Sequence, residues 1–97
     1  MTNLEALQSM TEYNNDNLLA KALLDQGVSA GGTYTAANEE NIDLAAARVY
    51  FALAAHPKLK EGSSYTEYDA KQLRGMAKAI LRKYDDHDAN ISGTAKW

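Results

Sequence analysis

The feature that most constrains the fold is a nearly unbroken apolar run in the middle of the chain. Every position from 44 to 55 is apolar except Arg48, and half of these positions are alanine. A helix that is apolar on all sides is buried with neighbours around it, and alanine lets those neighbours approach closely. The run therefore predicts a central helix enclosed by the rest of the domain, with Phe51 and Leu53 among its buried residues.

The residues that flank this run define the ends of the predicted helix. Glu39, Glu40 and Asp43 lie in its first turns, where the helix dipole favours negative charge. We place its start near Thr35 or Asn38. It ends at residue 56, because the proline that follows cannot continue a helix and disfavours helical geometry in the residue before it.

Two shorter helices precede the central one. The chain starts with Thr-Asn-Leu-Glu, a capping-box pattern that predicts a helix over residues 3–12. Asn15 or Asp16 is a suitable N-cap for a second helix over residues 16–26, and Gly27 is its expected left-handed stop. Because the connection between the two helices is short, we expect an antiparallel hairpin.

A second capping box, at Ser64 and Glu67, predicts the start of the last helix. Gly75 lies inside this helix, where it costs about 1 kcal/mol relative to alanine, and we attribute it to a close helix crossing or a hinge. The acidic residues from Asp85 onward end the helix, because negative charge is unfavourable at a helix C-terminus. The apolar stripe of the helix consists of Leu73, Met76, Ala77, Ile80, Leu81 and Tyr84.

These elements predict an all-α, four-helix domain over residues 1–88 and a C-terminal tail over residues 89–97. A chain of 97 residues is enough for one domain and too short for two. The tail contains Ile91 and ends in Trp97 but has no helical periodicity. We expect it to be mobile in an isolated monomer and to become ordered against a neighbouring subunit or a partner protein, with either residue as the anchor. The alternative is that Trp97 folds back onto the core.

Composition argues against several classes of function. The chain has no cysteine, which excludes disulfide frameworks, thiolate zinc sites and cysteine nucleophiles. Its net charge of −3 disfavours a general binder of the nucleic-acid backbone, because such proteins need a basic surface. No apolar stretch approaches the roughly 20 residues that a membrane-spanning helix needs. We expect no enzymatic activity, no cofactor and no membrane association.

Two short patterns carry groups that bind ligands in other proteins. Gly31 and Gly32 lack the Lys-Ser/Thr pair and the preceding strand of a phosphate-binding loop, so we interpret them as a flexible connection. Residues 85–88 offer three carboxylates and the His87 imidazole, but consecutive side chains rarely point at one metal ion. We interpret them as a solvated helix end and predict no metal site.

Candidate interaction residues lie on the last helix and beside it. Arg74, Lys78 and Arg82 are spaced by four and form one ridge, which suits a protein contact or a solvated face better than it suits nucleic-acid phosphates. Tyr65 and Tyr68 lie near the start of the helix, where they either fasten the loop to the core or act as interface anchors. With Ile91 and Trp97 of the tail, these residues make up the candidate interface.

The order of these elements resembles the small all-helical head–tail connector, or head-completion adaptor, proteins of tailed bacteriophages and prophages. The resemblance extends over about residues 3–86, nearly the whole chain. It consists of a helical hairpin at 4–27, the alanine-rich stretch NIDLAAARVYFALAAHP at 41–57, the polar loop EGSSYTEYD at 61–69 and the helix end AILRKYDD at 79–86.

The resemblance implies a virion structural protein that resides in the host cytoplasm before assembly and needs neither catalysis nor a cofactor. Several copies would form a ring, usually dodecameric, beneath a portal-like protein and would present a surface to a tail-completion protein. DNA would only pass through the channel of that ring. A small helical interaction or regulatory module of a bacterium or mobile element is the alternative function, and a DNA-binding module is a third.

Overall fold

The computed structural model describes residues 1–84, which form four α-helices and two short 3-10 turns. α1 spans Asn3–Thr11, α2 Asp16–Asp25, α3 Glu39–Ala55 and α4 Ala70–Lys83, and the 3-10 turns lie at Ala36–Asn38 and Pro57–Lys60. In this part of the chain, extended backbone pairs only in an isolated bridge between Thr2 and Thr33. The all-α, four-helix prediction is confirmed. The predicted boundary at residue 88 and the tail at 89–97 lie outside the described residues.

α1 and α2 form the predicted hairpin, and each begins after a residue whose side chain caps it. The Thr2 hydroxyl accepts a hydrogen bond from the Glu5 amide at 3.1 Å, and the Glu5 carboxylate accepts one from the Thr2 amide at 2.8 Å. Asn15 caps α2 by accepting a hydrogen bond from the Leu18 amide at 3.1 Å. Gly27 follows α2 with a φ of 76°, the left-handed conformation that favours glycine.

The segment between α2 and α3 is fastened to the start of the chain. The amides in the first turn of a helix have no partner within it, and here Asn3 and Leu4 donate theirs to the carbonyls of Gly32 (2.8 Å) and Ala30 (3.0 Å). The buried Asn3 side chain also donates to the Ser29 carbonyl at 2.8 Å. The interpretation as a flexible connection did not anticipate these contacts, because they join residues that are far apart in sequence.

α3 is the central helix, and α1, α2 and α4 all pack against it. Ala45, Ala46 and Ala47 point in different directions around the helix axis, yet all three are fully buried. Leu53 is also fully buried, as predicted. The prediction that Phe51 is buried is wrong. Its side chain is half-buried and packs against the edge of the core, because it lies on a strip of α3 that the other helices leave open.

α4 begins five residues later than predicted. Its N-cap is Asp69, whose carboxylate accepts from the Gln72 amide at 2.7 Å while the Gln72 side chain accepts from the Asp69 amide at 2.9 Å. The predicted capping box at Ser64 and Glu67 does not form. Turns at 61–67 carry the Tyr65 ring into the core instead, and burying a large side chain contributes about 1.5–3 kcal/mol, against about 1 kcal/mol for a cap.

Gly75 lies on the exposed face of α4, and neither of the predicted reasons for it is observed. A Cβ atom placed on Gly75 would meet no heavy atom within 4 Å, so no helix crosses closely there. α4 continues through this position as a regular α-helix up to Lys83, so Gly75 is not a hinge in this structure. Nothing in the structure explains why glycine occupies this position.

Substitution of Leu53 tests the central position of α3. Because Leu53 is fully buried, Leu53→Ala should lower the free energy of unfolding by about 2–5 kcal/mol. Leu24 is 71% exposed on α2 and provides the matched control, since Leu24→Ala should change stability by less than about 0.5 kcal/mol. Thermal unfolding followed by circular dichroism measures both effects. Equal losses in the two variants would contradict this assignment of the core.

Gly75→Ala should raise the free energy of unfolding by about 0.5–1 kcal/mol, because alanine has the higher helix propensity and its methyl group meets open space. Ala79 is also exposed on α4, so Ala79→Gly should produce a loss of similar size. Urea unfolding of the two variants and the parent chain measures both changes. A destabilised Gly75→Ala variant would show that Gly75 is not at an open helical position.

Candidate functional site

An open groove runs along α3 between α2 and α4. Its volume is about 460 Å³, which lies within the roughly 300–1,000 Å³ of sites that hold ligands in proteins. Three helices contribute to its lining: Leu18, Lys21, Ala22 and Asp25 of α2, Arg48, Phe51, Ala52, Ala54 and Ala55 of α3, and Arg74 of α4.

The floor of the groove is the strip of α3 that its neighbours leave open. Arg48, Phe51, Ala52 and Ala55 are spaced by three and four residues, so they lie on one side of the helix. The two alanines keep the floor low, and Phe51 supplies its largest apolar side chain. The alanine-rich composition that allows close packing inside the domain thus produces a shallow apolar trough on the outside.

The lining of the groove carries a surplus of positive charge. Lys21 forms an exposed salt bridge with Asp25 at 2.8 Å, and the Arg48 Nε donates to the Gln26 side-chain oxygen at 2.5 Å. The hydrogen bond from Lys21, with smaller electrostatic contributions from Lys21 and Arg48, lowers the pKa of Asp25. With Arg74 on the α4 side, three cations and one carboxylate line the groove, in a chain whose overall charge is −3.

The predicted basic ridge meets this groove at Arg74. Arg74, Lys78 and Arg82 are all exposed, and their spacing by four places them on one face of α4. Arg74 also lines the groove. The structure therefore joins the ridge to a concave apolar surface. The sequence could not reveal this surface, because it arises from the packing of three helices.

Tyr65 lies at the centre of an aromatic cluster. Its ring makes edge-to-face contacts with Tyr13, Tyr50 and Tyr68, at centroid distances of 6.4, 5.8 and 5.3 Å. Its hydroxyl donates to the backbone carbonyl of Thr11. Tyr65 is buried and fastens the loop before α4 to the core, which is the first of the two roles predicted for it. Tyr68 lies at the edge of the cluster and is 37% exposed.

Sequence reasoning missed Tyr13 and Tyr50 as members of this cluster. Tyr13 follows α1 and donates its hydroxyl to the Leu59 carbonyl at 2.6 Å, which ties the helical hairpin to the turn after α3. No local pattern pairs residues 46 positions apart. Burial, with a contribution from the Tyr50 hydroxyl, raises the pKa of Tyr65.

A second polar contact holds the end of α4 against α3. The buried Asp43 carboxylate accepts a hydrogen bond from Lys83 at 3.1 Å and another from the Tyr84 hydroxyl. The hydrogen bond with Asp43 raises the pKa of Lys83. Burial, reinforced by Asp43, raises the pKa of Tyr84. The contact fixes α4 antiparallel to α3 and thereby places Arg74 beside the groove.

The remaining candidates fall outside the described part of the chain. These are Ile91, Trp97 and the acidic residues 85–88 with their histidine. Within residues 1–84, no three side chains among His, Asp and Glu come close enough to hold a metal ion. Every buried side-chain nitrogen or oxygen within that range has a hydrogen-bond partner, and no helix there is long and apolar enough to cross a membrane.

The raised pKa values of Tyr65 and Tyr84 predict a loss of stability in alkali. Because folding raises the pKa of Tyr65 and Tyr84, their stabilisation is complete below the ordinary tyrosine pKa of about 10. It is lost as the pH rises further, since the unfolded chain ionises first. The free energy of unfolding, measured by urea titration, should therefore fall steeply above about pH 10. Tyr65→Phe should make this fall shallower. A slope that is the same in the variant and the parent chain would contradict the assignment.

Comparison with known proteins gives one match. A family model described as a family of unknown function (DUF6706) matches residues 1–96, nearly the whole chain. No curated protein matches the sequence, and no solved structure matches it. Since the family model covers far more than half of the chain, the protein belongs to DUF6706, a family of unknown function.

Proposed function

We propose that this protein is a non-enzymatic head–tail connector adaptor of a tailed bacteriophage or prophage. In this role it resides in the host cytoplasm until it enters the virion. There it binds a portal-like protein and further copies of itself, and it presents a surface to a tail-completion protein. The resemblance to connector proteins supports this kind of assembly. It lies in the order of the elements, namely the hairpin α1–α2, the alanine-rich α3 and the amphipathic α4.

The observation that carries the proposal is the groove between α2 and α4. An open apolar trough with charged walls is the type of surface into which proteins insert an extended segment or a helix. Its largest apolar residue, Phe51, is half-buried, and an aromatic side chain at the centre of such a surface is typical of interface anchors. The groove therefore favours a role in protein assembly.

The distribution of charge favours protein contact over tight DNA binding. The groove and the ridge that meets it carry Arg48, Arg74, Lys78 and Arg82, but the chain as a whole has a charge of −3. Phosphate-backbone binding requires a dominant basic surface and produces a strong salt dependence. A ring of such subunits would allow DNA to pass along its channel without holding it.

The groove equally favours the alternative of a small bacterial or mobile-element interaction module. Such a module would bind a single protein partner through the same surface. The two functions differ in assembly, because a connector must form a closed ring on a portal and a regulatory module need not associate with itself. Stoichiometry in the presence of a portal protein separates them.

The experiment combines the purified chain with the portal protein encoded in the same genomic segment. We expect a stable complex in gel filtration, and negative-stain images that show an additional ring of density at one end of the portal. The measurement should be made at moderate salt, and DNA retention should be assayed in parallel, so that nucleic-acid binding is recognised by its salt sensitivity. The chain and the portal eluting separately at micromolar concentration would overturn the proposal.

A pair of charge-reversal variants controls for non-specific attraction. Arg74→Glu alters an exposed wall of the groove, and Lys58→Glu makes the same change of charge at an exposed position that does not line it. If the groove serves assembly, only the Arg74 variant should form incomplete or unstable rings. Equal effects of the two variants would show that net charge, and not the groove, governs binding.

A further inference from the structure

We infer that the groove is the docking site for residues 85–97 of a second copy of the chain. The inference deepens the proposed function, from which it takes the expectation that copies of the protein associate. It adds the surface and the segment through which they do so. It rests on three observations: the chemistry of the groove, the chemistry of the segment and the position at which the segment leaves the domain.

The segment and the groove are chemically complementary. Residues 85–97 contain three aspartates, Asp85, Asp86 and Asp88, and a single basic residue, Lys96. They also contain two large apolar side chains, Ile91 and Trp97. The groove has a largely apolar floor, and its lining carries three cations and one carboxylate. An acidic stretch followed by an aromatic anchor fits such a surface, because the charges steer association and the aromatic side chain supplies most of the affinity.

The length of the segment suits the length of the groove. The groove floor extends along α3 from Arg48 to Ala55, which is about 10 Å at 1.5 Å per residue of helix. The thirteen residues after Tyr84 span up to roughly 43 Å when extended. Segment 85–97 can therefore cross from one subunit to the next and still place Trp97 on the floor.

The point at which the segment leaves the domain favours a second copy over the same copy. The end of α4 is held to Asp43, in the second turn of α3, whereas the groove floor extends from Arg48 to Ala55. Lys83, which contacts Asp43, and Arg74, which lines the groove, are about 14 Å apart along the axis of α4. The segment therefore leaves the domain beyond one end of the groove and would have to reverse its direction and run back along α4 to enter its own groove.

Donor and acceptor surfaces on different sides of one subunit produce a head-to-tail contact. Such heterologous contacts build closed rings when the rotation between neighbours closes. A groove beside Arg74 and a segment that emerges at the other end of α4 therefore provide the repeated contact that a ring requires. Each subunit both donates a segment and accepts one.

Trp97 is the only tryptophan in the chain, so its fluorescence reports on the docking of the segment directly. The test measures the emission maximum and the molar mass, by light scattering, over a dilution series of the full chain. We expect emission at shorter wavelength together with a mass above that of the monomer at high concentration. Both should revert together on dilution.

Three results would overturn the inference. Short-wavelength emission that persists in a dilute monomer would show that Trp97 packs within its own copy. A mass above the monomer without a change in emission would show that copies associate through another surface. A monomer with solvent-like emission at every concentration would show that the segment does not dock on a second copy.

Charge reversal on the groove wall provides a second measurement. Arg74 is exposed, so Arg74→Glu should leave the fold intact. It should weaken association by at least ~10-fold, because it places a carboxylate opposite the three aspartates. Lys58→Glu is the matched control and should associate like the parent chain. Equal weakening in the two variants would argue against docking in the groove.

An equimolar mixture of two defective variants tests the exchange between copies. Arg74→Glu retains its segment but has a damaged groove, whereas Trp97→Ala retains its groove but lacks the anchor. Each variant alone should be largely monomeric, and the mixture should form heterodimers through one intact contact. A mixture that associates no better than its components would contradict the exchange.

These results are independent of the test of the proposed function. A chain that binds the portal while Trp97 stays exposed would uphold the connector function and refute the docking of the segment. A chain whose Trp97 enters the groove of a second copy but which does not bind the portal would uphold the docking of the segment and refute the connector function.

Discussion

The structure depends on the burial of α3. Its consecutive alanines allow three other helices to approach its axis closely, and the fully buried Leu53 and Val49 fill the space between them. Close approach has a geometric consequence, because the Cα atoms occupy a slab of only 34 × 31 × 16 Å. In so thin a domain a central helix is not fully covered. The strip of α3 that contains Phe51 remains open and becomes the floor of the groove.

Most elements of the fold were predictable because their determinants are local. The cap at Thr2 determines the start of α1, and the left-handed Gly27 determines the end of α2. The apolar run of α3 marks that helix as the buried one. Each of these signals lies within a few residues of the feature that it determines. The start of α4 shows where local reasoning fails. The capping box predicted at Ser64 does not form, and a capping box at Asp69, which the local patterns did not single out, forms instead. The choice is made by Tyr65, whose burial among distant tyrosines is a tertiary effect.

The candidate site was predictable only in part, for the same reason. The spacing of Arg74, Lys78 and Arg82 identifies a ridge, since residues four apart share a helix face. The groove beside Arg74 also requires Leu18 and Arg48, and their proximity follows from the antiparallel packing that Asp43 and Tyr84 secure. The polar contact at one end of α4 thus positions the interaction surface near its other end, although it lies outside that surface.

In the assembly proposed above, α3 has a closed side that holds the fold together and an open side that receives a partner segment. Amide hydrogen exchange of the full chain in dilute and concentrated solution tests this claim most directly. We predict that α3 exchanges slowest under both conditions. On concentration, protection should increase in the groove-lining parts of α2 and α4, around Lys21 and Arg74. Protection that increases instead around α1, or that does not depend on concentration, would contradict the claim.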